Sequence, residues 1–408
     1  MGFSQALSGL NAASTNLDVV GNNIANSQTV GFKSSGVQFA DVYAGAKVGL
    51  GTRVSAVLQD FSNGTLESTN RNLDLAISGG GFFRMSQNDQ VVYSRNGQMT
   101  MTADGYLQNA QGARLTGFPA GAGAGAEPVA LRVPSDAVPA NATTGIDASL
   151  VLDSSVDSID RVATPFAQDN ANSYSYANSA TVYDSQGNSH NVTMYFSKVS
   201  DNNWEVRQSI DGKMAPENPV GNAGAPFPPG QPKTLTFDTK GQLTSGMPLN
   251  FDFGDLGNGT DPLNVDLDLA GTTQTGNNFS LDSLTQDGYA SGNLVGIAIN
   301  ADGSIMGNYS NEQSEVLGTI SLVNFRNPEG LKPVGDNAWV ETGESGQALL
   351  GQAGTGMLGS IESGAVETSN VDLTRELVDL IIAQRTFQAN TNSVRTQSEV
   401  LESVVNLR

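Results

Sequence analysis

Apolar residues at the two ends of the chain recur every seven positions, and those between them alternate every second position. Phe3, Leu10, Leu17 and Ile24 are spaced by seven, with Leu7 between the first two. Leu373, Leu380, Phe387, Val394 and Leu401 repeat the pattern, with Leu377 and Val405 as second-position partners. Such spacing keeps one face of a helix aligned along a left-handed supercoil, so it predicts two terminal helices that form a coiled coil. The C-terminal helix is expected to begin near Ser369 or Asn370, both good caps, and to run for about 55 Å. The second seam position turns polar at Ser14, Gly21, Gln384, Thr391 and Ser398, which would set register and weaken the association. Two ordinary amphipathic helices on a globular core are the plainer alternative, but a strict seven-residue register favours mutual packing.

Residues 34–365 carry a different pattern. Turn pairs punctuate them at Asn63-Gly64, Asn96-Gly97, Asp104-Gly105, Asp211-Gly212, Asn258-Gly259, Asp287-Gly288 and Asp302-Gly303. Alternating or β-branched runs flank many of these, as in VVYSRNGQMTMTADGYLQ, SATVYDSQGNSHNVTMYFSKV and LVGIAINADGSIMGNY. The middle is therefore expected to be all-β, mainly antiparallel and sandwich- or barrel-like, giving a multidomain α+β chain. PAGAGAGAEP (119–128) and NPVGNAGAPFPPGQP (218–232) read as a flexible connector and a Pro/Gly loop.

Charge sharpens this division. The formal net charge of the 408 residues is −21, which excludes a nucleic-acid partner needing clustered Lys and Arg. Residues 1–33 hold one acid (Asp18) and one base (Lys33), and 365–408 hold six acids and four bases, so −19 falls on the middle. Nearly neutral ends around an acidic middle suggest ends buried against a partner and a middle facing water. No run approaches the roughly 20 apolar residues of a membrane helix, so no membrane insertion is expected. The N-terminus has no basic, apolar stretch typical of a cleaved secretory signal, and cysteine is absent.

Candidate chemistry is sparse. His190, the only histidine, falls in SQGNSHN and reads as a solvated loop residue. One His without Cys cannot make the usual zinc sites, and neither HExxH nor GxSxG occurs. SGGGFF (78–83) lacks the GK[ST] ending of a phosphate loop, so tight turns or close backbone packing explain its glycines. The acidic run DFGDLGNGTDPLNVDLDL misses EF-hand spacing. No enzyme activity, cofactor or metal is expected.

NLDVVGNNIANSQTVGFK resembles the N-terminal signature of bacterial flagellar axial proteins, the rod and hook group, and SNVDLTRELVDLIIAQRTFQANTNSVRTQSEVLESVVNLR resembles its C-terminal partner. FADVYAGAKVGLGTRV, NLDLAISGGGFFRM, SATVYDSQGN, GNYSNEQ and LGQAGTG follow in matching order and place the resemblance closest to the hook members. It is strongest at the ends and through about residue 118, and weakest in 120–285. The resemblance implies a structural subunit, exported without a cleaved signal by the flagellar type III export apparatus. It would polymerise with itself into a curved hollow tube outside the cell, a universal joint carrying motor torque from rod to filament.

The implied partners are a hook-capping protein, a distal rod protein, a hook-filament junction protein and a hook-length control protein. Implied nested domains are 1–30 with 368–408 as an inner coiled coil, 31–70 with 364–367 as a connecting segment, 71–145 with 286–363 as a discontinuous β-domain, and 146–285 as an outer inserted β-domain. A distal rod protein is the alternative within the group, and a secreted β-rich adhesin or carbohydrate-binding protein the alternative outside it. Within this frame Ile24 is the last seam contact, and Gly21 admits a neighbouring helix. Asn22, Asn23 and Asn26 satisfy exposed backbone groups at the helix exit, Gly31 turns the chain outward, and Phe32 anchors it.

Overall fold

The computed structural model describes residues 3–42, 49–122, 125–214, 232–257 and 259–405, without the side chains of Leu401, Val404 and Val405. The structure is mostly antiparallel β with one helix at each end, α1 (Phe3–Ala25) and α2 (Leu373–Val405). At 33 residues α2 is about 50 Å long. No described helix is long and apolar enough to cross a membrane.

The start of α2 differs from the sequence expectation. Its cap is Asp372, whose carboxylate accepts from the backbone N–H groups of Thr374 (2.9 Å) and Arg375 (3.2 Å). Asn370 is unavailable as a cap because its amide is already committed. Its Oδ1 accepts from the N–H of Ser34 at 2.8 Å, and its Nδ2 donates to the carbonyl of Asp60 at 2.8 Å.

By compactness the chain divides into two units: 1–135 with 295–308 and 314–408, and 136–294 with 309–313. In the first unit β1 (Ser35–Asp41) and β2 (Thr52–Gln59) form an antiparallel hairpin, from Ser35 opposite Gln59 to Asp41 opposite Thr52. The strand Leu66–Ser68 pairs with Ala365–Glu367, and Leu75–Ser78 pairs with Ser360–Ser363, so the two halves of the chain zip together beside the helices. A larger sheet has an aromatic core: Phe82, Tyr93, Phe325 and Trp339 are buried, with Phe61 packed against them. Phe61 and Phe82 meet edge-to-face at 5.5 Å, a preferred aromatic geometry. Trp339 Nε1 donates to Gln59 Oε1 at 2.6 Å, which fastens the end of β2 to this core.

The second unit stacks two sheets on one apolar core that includes Leu150, Val192, Phe196, Trp204, Val206 and Val265. Alternation produces it directly: Trp204, Val206 and Ile210 point inward while Glu205 and Arg207 point out. Departures from antiparallel pairing occur where Gly145–Asp153 runs parallel to both Leu263–Asp268 and Thr273–Thr275. Bridges Val138–Gly292 and Asn141–Tyr289 close the base of this unit, which therefore begins before residue 146 and ends after 285.

The turn pairs divide into two kinds. Asp104-Gly105, Asp211-Gly212 and Asp302-Gly303 lie between strands that pair with each other. Asn63-Gly64, Asn96-Gly97 and Asp287-Gly288 do not close hairpins. There the glycine is required by crowding: a methyl group on Gly97 would collide with the carbonyl of Leu75, and one on Gly64 with that of Thr368. Asn258 and most of 218–232 lie outside the described residues.

Candidate assembly surface

α1 and α2 pack against each other as an antiparallel pair. Asn23 Nδ2 donates to Glu376 Oε1 at 3.0 Å near one end, and Gly9 abuts Asn390 further along. Fourteen residues separate the two contacts on each helix, so the helices advance in step. The contact is built on small residues. Ala6, Ala13 and Val20, seven apart, are buried on α1, as is Ala383 on α2. A methyl group on Gly9 would lie 3.0 Å from the Asn390 side chain, so this glycine permits the close approach.

The seam residues named from sequence distribute around this contact. Leu10, Leu17, Ile24, Leu380, Phe387 and Val394 are half-buried. The second row on α2 falls at Ala383, Asn390 and Gln397, whereas Gln384, Thr391 and Ser398, one residue later, are exposed. Phe3, Leu7, Leu373 and Leu377 are also exposed, and the Leu401 and Val405 side chains lie outside the described residues. Gly21 is exposed with nothing within 4 Å of where its Cβ would be, so no described residue makes a close approach there.

The start of α2 is apolar on more than one side. Leu373, Leu377 and Ile381 follow at four-residue steps, Val378 and Ile382 lie beside them, and these five are 44–56 % exposed. An exposed apolar patch of this kind marks a candidate contact surface.

The helix exit explains the cluster of asparagines. Asn26 Nδ2 donates back to the carbonyl (3.0 Å) and Oδ1 (2.8 Å) of Asn22, and Asn26 Oδ1 accepts from Thr29 Oγ1 at 3.2 Å. Asn23 has a different task. Its Nδ2 donates to the carbonyl of Ser35 at 2.8 Å and its Oδ1 accepts from the N–H of Ser35 at 2.9 Å, pinning the start of β1 to α1. Burial raises the pKa of the Glu376 carboxyl that Asn23 also reaches, and the hydrogen bond from Asn23 partly offsets that. Replacing Asn23 by alanine is expected to cost about 1–3 kcal/mol, because both backbone groups of Ser35 lose their partner in a confined site. A urea midpoint equal to wild type would contradict that assignment.

Gly31 adopts φ +70°, and a Cβ there would lie 2.7 Å from the backbone nitrogen of Asn96, so only glycine fits both the turn and the space. Buried Phe32 follows, and then Lys33, whose side chain is completely buried. Lys33 Nζ donates to Glu367 Oε1 (2.8 Å) and to the carbonyl of Ser62 (2.6 Å). Glu367 also accepts from the Gly64 N–H at 2.8 Å and from Arg95 Nη1 at 3.2 Å, and Arg95 Nη2 donates to Asn63 Oδ1 at 3.1 Å. Burial lowers the pKa of both cations, and the charge of Glu367 works against that shift. One carboxylate thus joins the exit from α1, the 62–64 loop, the strand leading to α2 and the β-sheet.

Sequence reading missed Glu367, Arg95 and the role of Lys33. A lone Lys, Glu and Arg hundreds of positions apart leave no periodic signal. The available hint was Asn63-Gly64, a turn pair that flanks no hairpin.

Four family profiles match in chain order: flagellar basal body rod protein (residues 4–33), flagellar hook protein FlgE/F/G D1 domain (76–147), flagellar basal body protein FlaE D2 domain (151–289) and flagellar basal body rod FlgEFG protein C-terminal (362–407). Among curated relatives, the flagellar hook protein FlgE of Escherichia coli K12 is 46% identical over 419 residues, covering all of both chains. That of Borreliella burgdorferi is 32% identical over 450 residues, covering 98% of each. The crystal structure of Helicobacter pylori flagellar hook protein FlgE2 aligns with TM-score 0.54 at 15% identity, over 74% of this chain and all of that one, a likeness of fold.

Proposed function

The chain belongs to the flagellar hook protein family, which it matches along its whole length, and from that premise we propose how it assembles. It is a structural subunit of the flagellar hook, related to structural proteins and not to enzymes. Its terminal helices form the self-association surface: α1 and α2 pair within the subunit, and the bare side of α2 is covered by the helices of neighbouring subunits in an inner coiled-coil wall. Phe3 and Leu7, exposed toward the other end of the antiparallel pair, would extend the self-association surface along α1.

The observation that carries this reading is the uncovered apolar side of α2 at Leu373, Leu377, Val378, Ile381 and Ile382. Export through the flagellar type III apparatus, growth beneath a hook-capping protein, length control, and attachment to a distal rod protein and a hook-filament junction protein follow from the same family reading. The product is a curved hollow tube that bends while passing torque to the filament. Expressed in cells that lack their own hook subunit, the chain should give short curved tubes in electron micrographs of sheared material. Straight rods, or no polymer, would overturn the reading.

The nested organisation suggests a division of labour in which the second unit supplies exchangeable contacts that select curvature. It carries 20 acidic against 6 basic residues, a surface suited to weak, easily exchanged contacts. Because Asn141 and Tyr289 are bridged, residues 142–288 can be excised and the ends joined by a short Gly/Ser linker. The deletion is expected to assemble into tubes without regular curvature. Tubes curved like wild type would remove the second unit from that role, and loss of assembly would make it part of the wall.

A further inference from the structure

His190 is not the solvated loop residue its surroundings in sequence suggested. It lies on the strand Ser189–Ser200, and its side chain is only 13% exposed. Both ring nitrogens face carboxylates. Nδ1 is 2.6 Å from Asp211 Oδ2, in the hairpin turn that follows Asn203–Ile210, and Nε2 is 3.2 Å from Asp184 Oδ2, in the turn after Tyr176–Tyr183. A neutral imidazole carries one N–H and can donate to only one of them, leaving its bare nitrogen against the other carboxylate. Only the imidazolium donates to both.

Each turn also has bonds of its own. Asp184 organises its own turn, accepting from the N–H groups of Gln186 and Asn188, both at 2.9 Å, and from Asn188 Nδ2 at 2.8 Å. That turn rests on the base of the second unit. A methyl on Gly187 would come within 2.8 Å of Ala140 Cβ and 3.2 Å of Ala290 Cα. The N–H of Tyr183 donates to Thr143 Oγ1 at 2.9 Å, and Ser185 Oγ accepts from the N–H of Asp261 at 3.0 Å. Asp211 (φ +48°) and Gly212 (φ +75°) form the two-residue hairpin turn, and Asp211 Oδ1 accepts from the N–H of Asn191 at 2.9 Å. His190 is thus an ionic tie between the turn that rests on the base of the unit and this hairpin.

We propose that His190 is a pH-operated clamp: protonated, it holds the Asp184 turn and the Asp211 hairpin together, and deprotonated, it releases one of them and loosens the paired segments 138–141 and 289–292 at the unit's base. The charged groups facing it are Asp184 and Asp211, with Lys213 beside Asp211. Burial works to lower the His190 pKa, but the hydrogen bonds it donates to Asp211 and Asp184 outweigh it and leave the pKa above the ordinary 6.5. Burial likewise works to raise both aspartates, and their hydrogen bonds outweigh it and leave both lowered. A raised histidine stabilises the fold below its unfolded pKa and ceases to do so as pH rises through its folded pKa; lowered aspartates stabilise above their unfolded pKa and lose this as pH falls. The clamp is therefore closed in mildly acidic solution and opens as pH rises through the folded His190 pKa, above 6.5.

Because this is the chain's only histidine, its ring proton gives one resolvable NMR signal in the full-length subunit. The midpoint is expected above 6.5 and is expected to drop in Asp211→Asn, which keeps an acceptor for the Asn191 N–H. Between about pH 6 and pH 9 the wild-type melting temperature of the second unit should fall by about 2–4 °C more than that of His190→Gln. A wild-type midpoint at or below 6.5, or a raised midpoint with the same pH dependence of melting in both proteins, would overturn the clamp. If His190→Gln does not fold, the same comparison made with Asp211→Asn decides it.

Discussion

Subunits carrying Ile381→Asp fold with both β-units intact and form no tubes. The side chain is 48% exposed, so its replacement costs the isolated subunit within about 0.5 kcal/mol. In the assembled wall the same position is covered by a neighbour, and an unpaired carboxylate there costs at least about 2 kcal/mol. The penalty is repeated at every subunit, so a polymer cannot dilute it. Leu377→Asp, one turn earlier on the same side, should behave alike. Replacing Leu380 or Phe387 by Asp also blocks assembly, by a different route, since those half-buried side chains belong to the part of α2 that packs on α1. Separating the two classes requires the monomer: circular dichroism should retain the helix signal in Ile381→Asp and lose part of it in Leu380→Asp. Normal tubes from Ile381→Asp would refute the bare side of α2 as an assembly surface.

Glu367→Ala should be the most destabilising single change in the first unit. It strands the ammonium of Lys33 and the guanidinium of Arg95, both buried, and leaves the Gly64 N–H without its acceptor. Removing one member of a buried ion network costs about 3–5 kcal/mol. Lys33→Met should cost less, because Glu367 keeps Arg95 and Gly64 and the methionine fills much of the same space. The loss should also be felt at a distance, since Glu367 joins the segments leading from α1 and into α2. Urea unfolding followed by tryptophan fluorescence in a Trp204→Phe background reports it, because the remaining Trp339 lies in the aromatic core of this unit. A Glu367→Ala midpoint equal to that of wild type would contradict the network's role.

Both terminal helices and the β-rich middle were legible in the sequence because each is written as a period. Spacing also identified which helices pair, but not which residues make the pairing tight. Reading the large apolar side chains as the seam points to Phe3 and Leu7, whereas the close contact runs along Ala6, Gly9 and Ala13. Small residues carry a weak hydropathy signal, and only a partner placed against them reveals their use. The junction was harder still. Asn23 was singled out as one of three amides at a helix exit, but its bonds to Ser35 and Glu376 depend on where β1 and α2 begin. Lys33, Arg95 and Glu367 meet only after the chain has closed on itself, so no local pattern could join them. His190 was misjudged for the same reason: its two aspartates come from different turns.

The absence of cysteine offers the most direct measurement of the central claim, that the bare side of α2 is covered by neighbouring subunits. In an Ile381→Cys subunit that still assembles, the single thiol should react readily with a maleimide in the monomer and be protected in purified hooks. A cysteine at Val162, which is 91% exposed, gives the labelling of a fully accessible thiol in the monomer for comparison. Equal labelling of Ile381→Cys in monomer and hook would contradict the account.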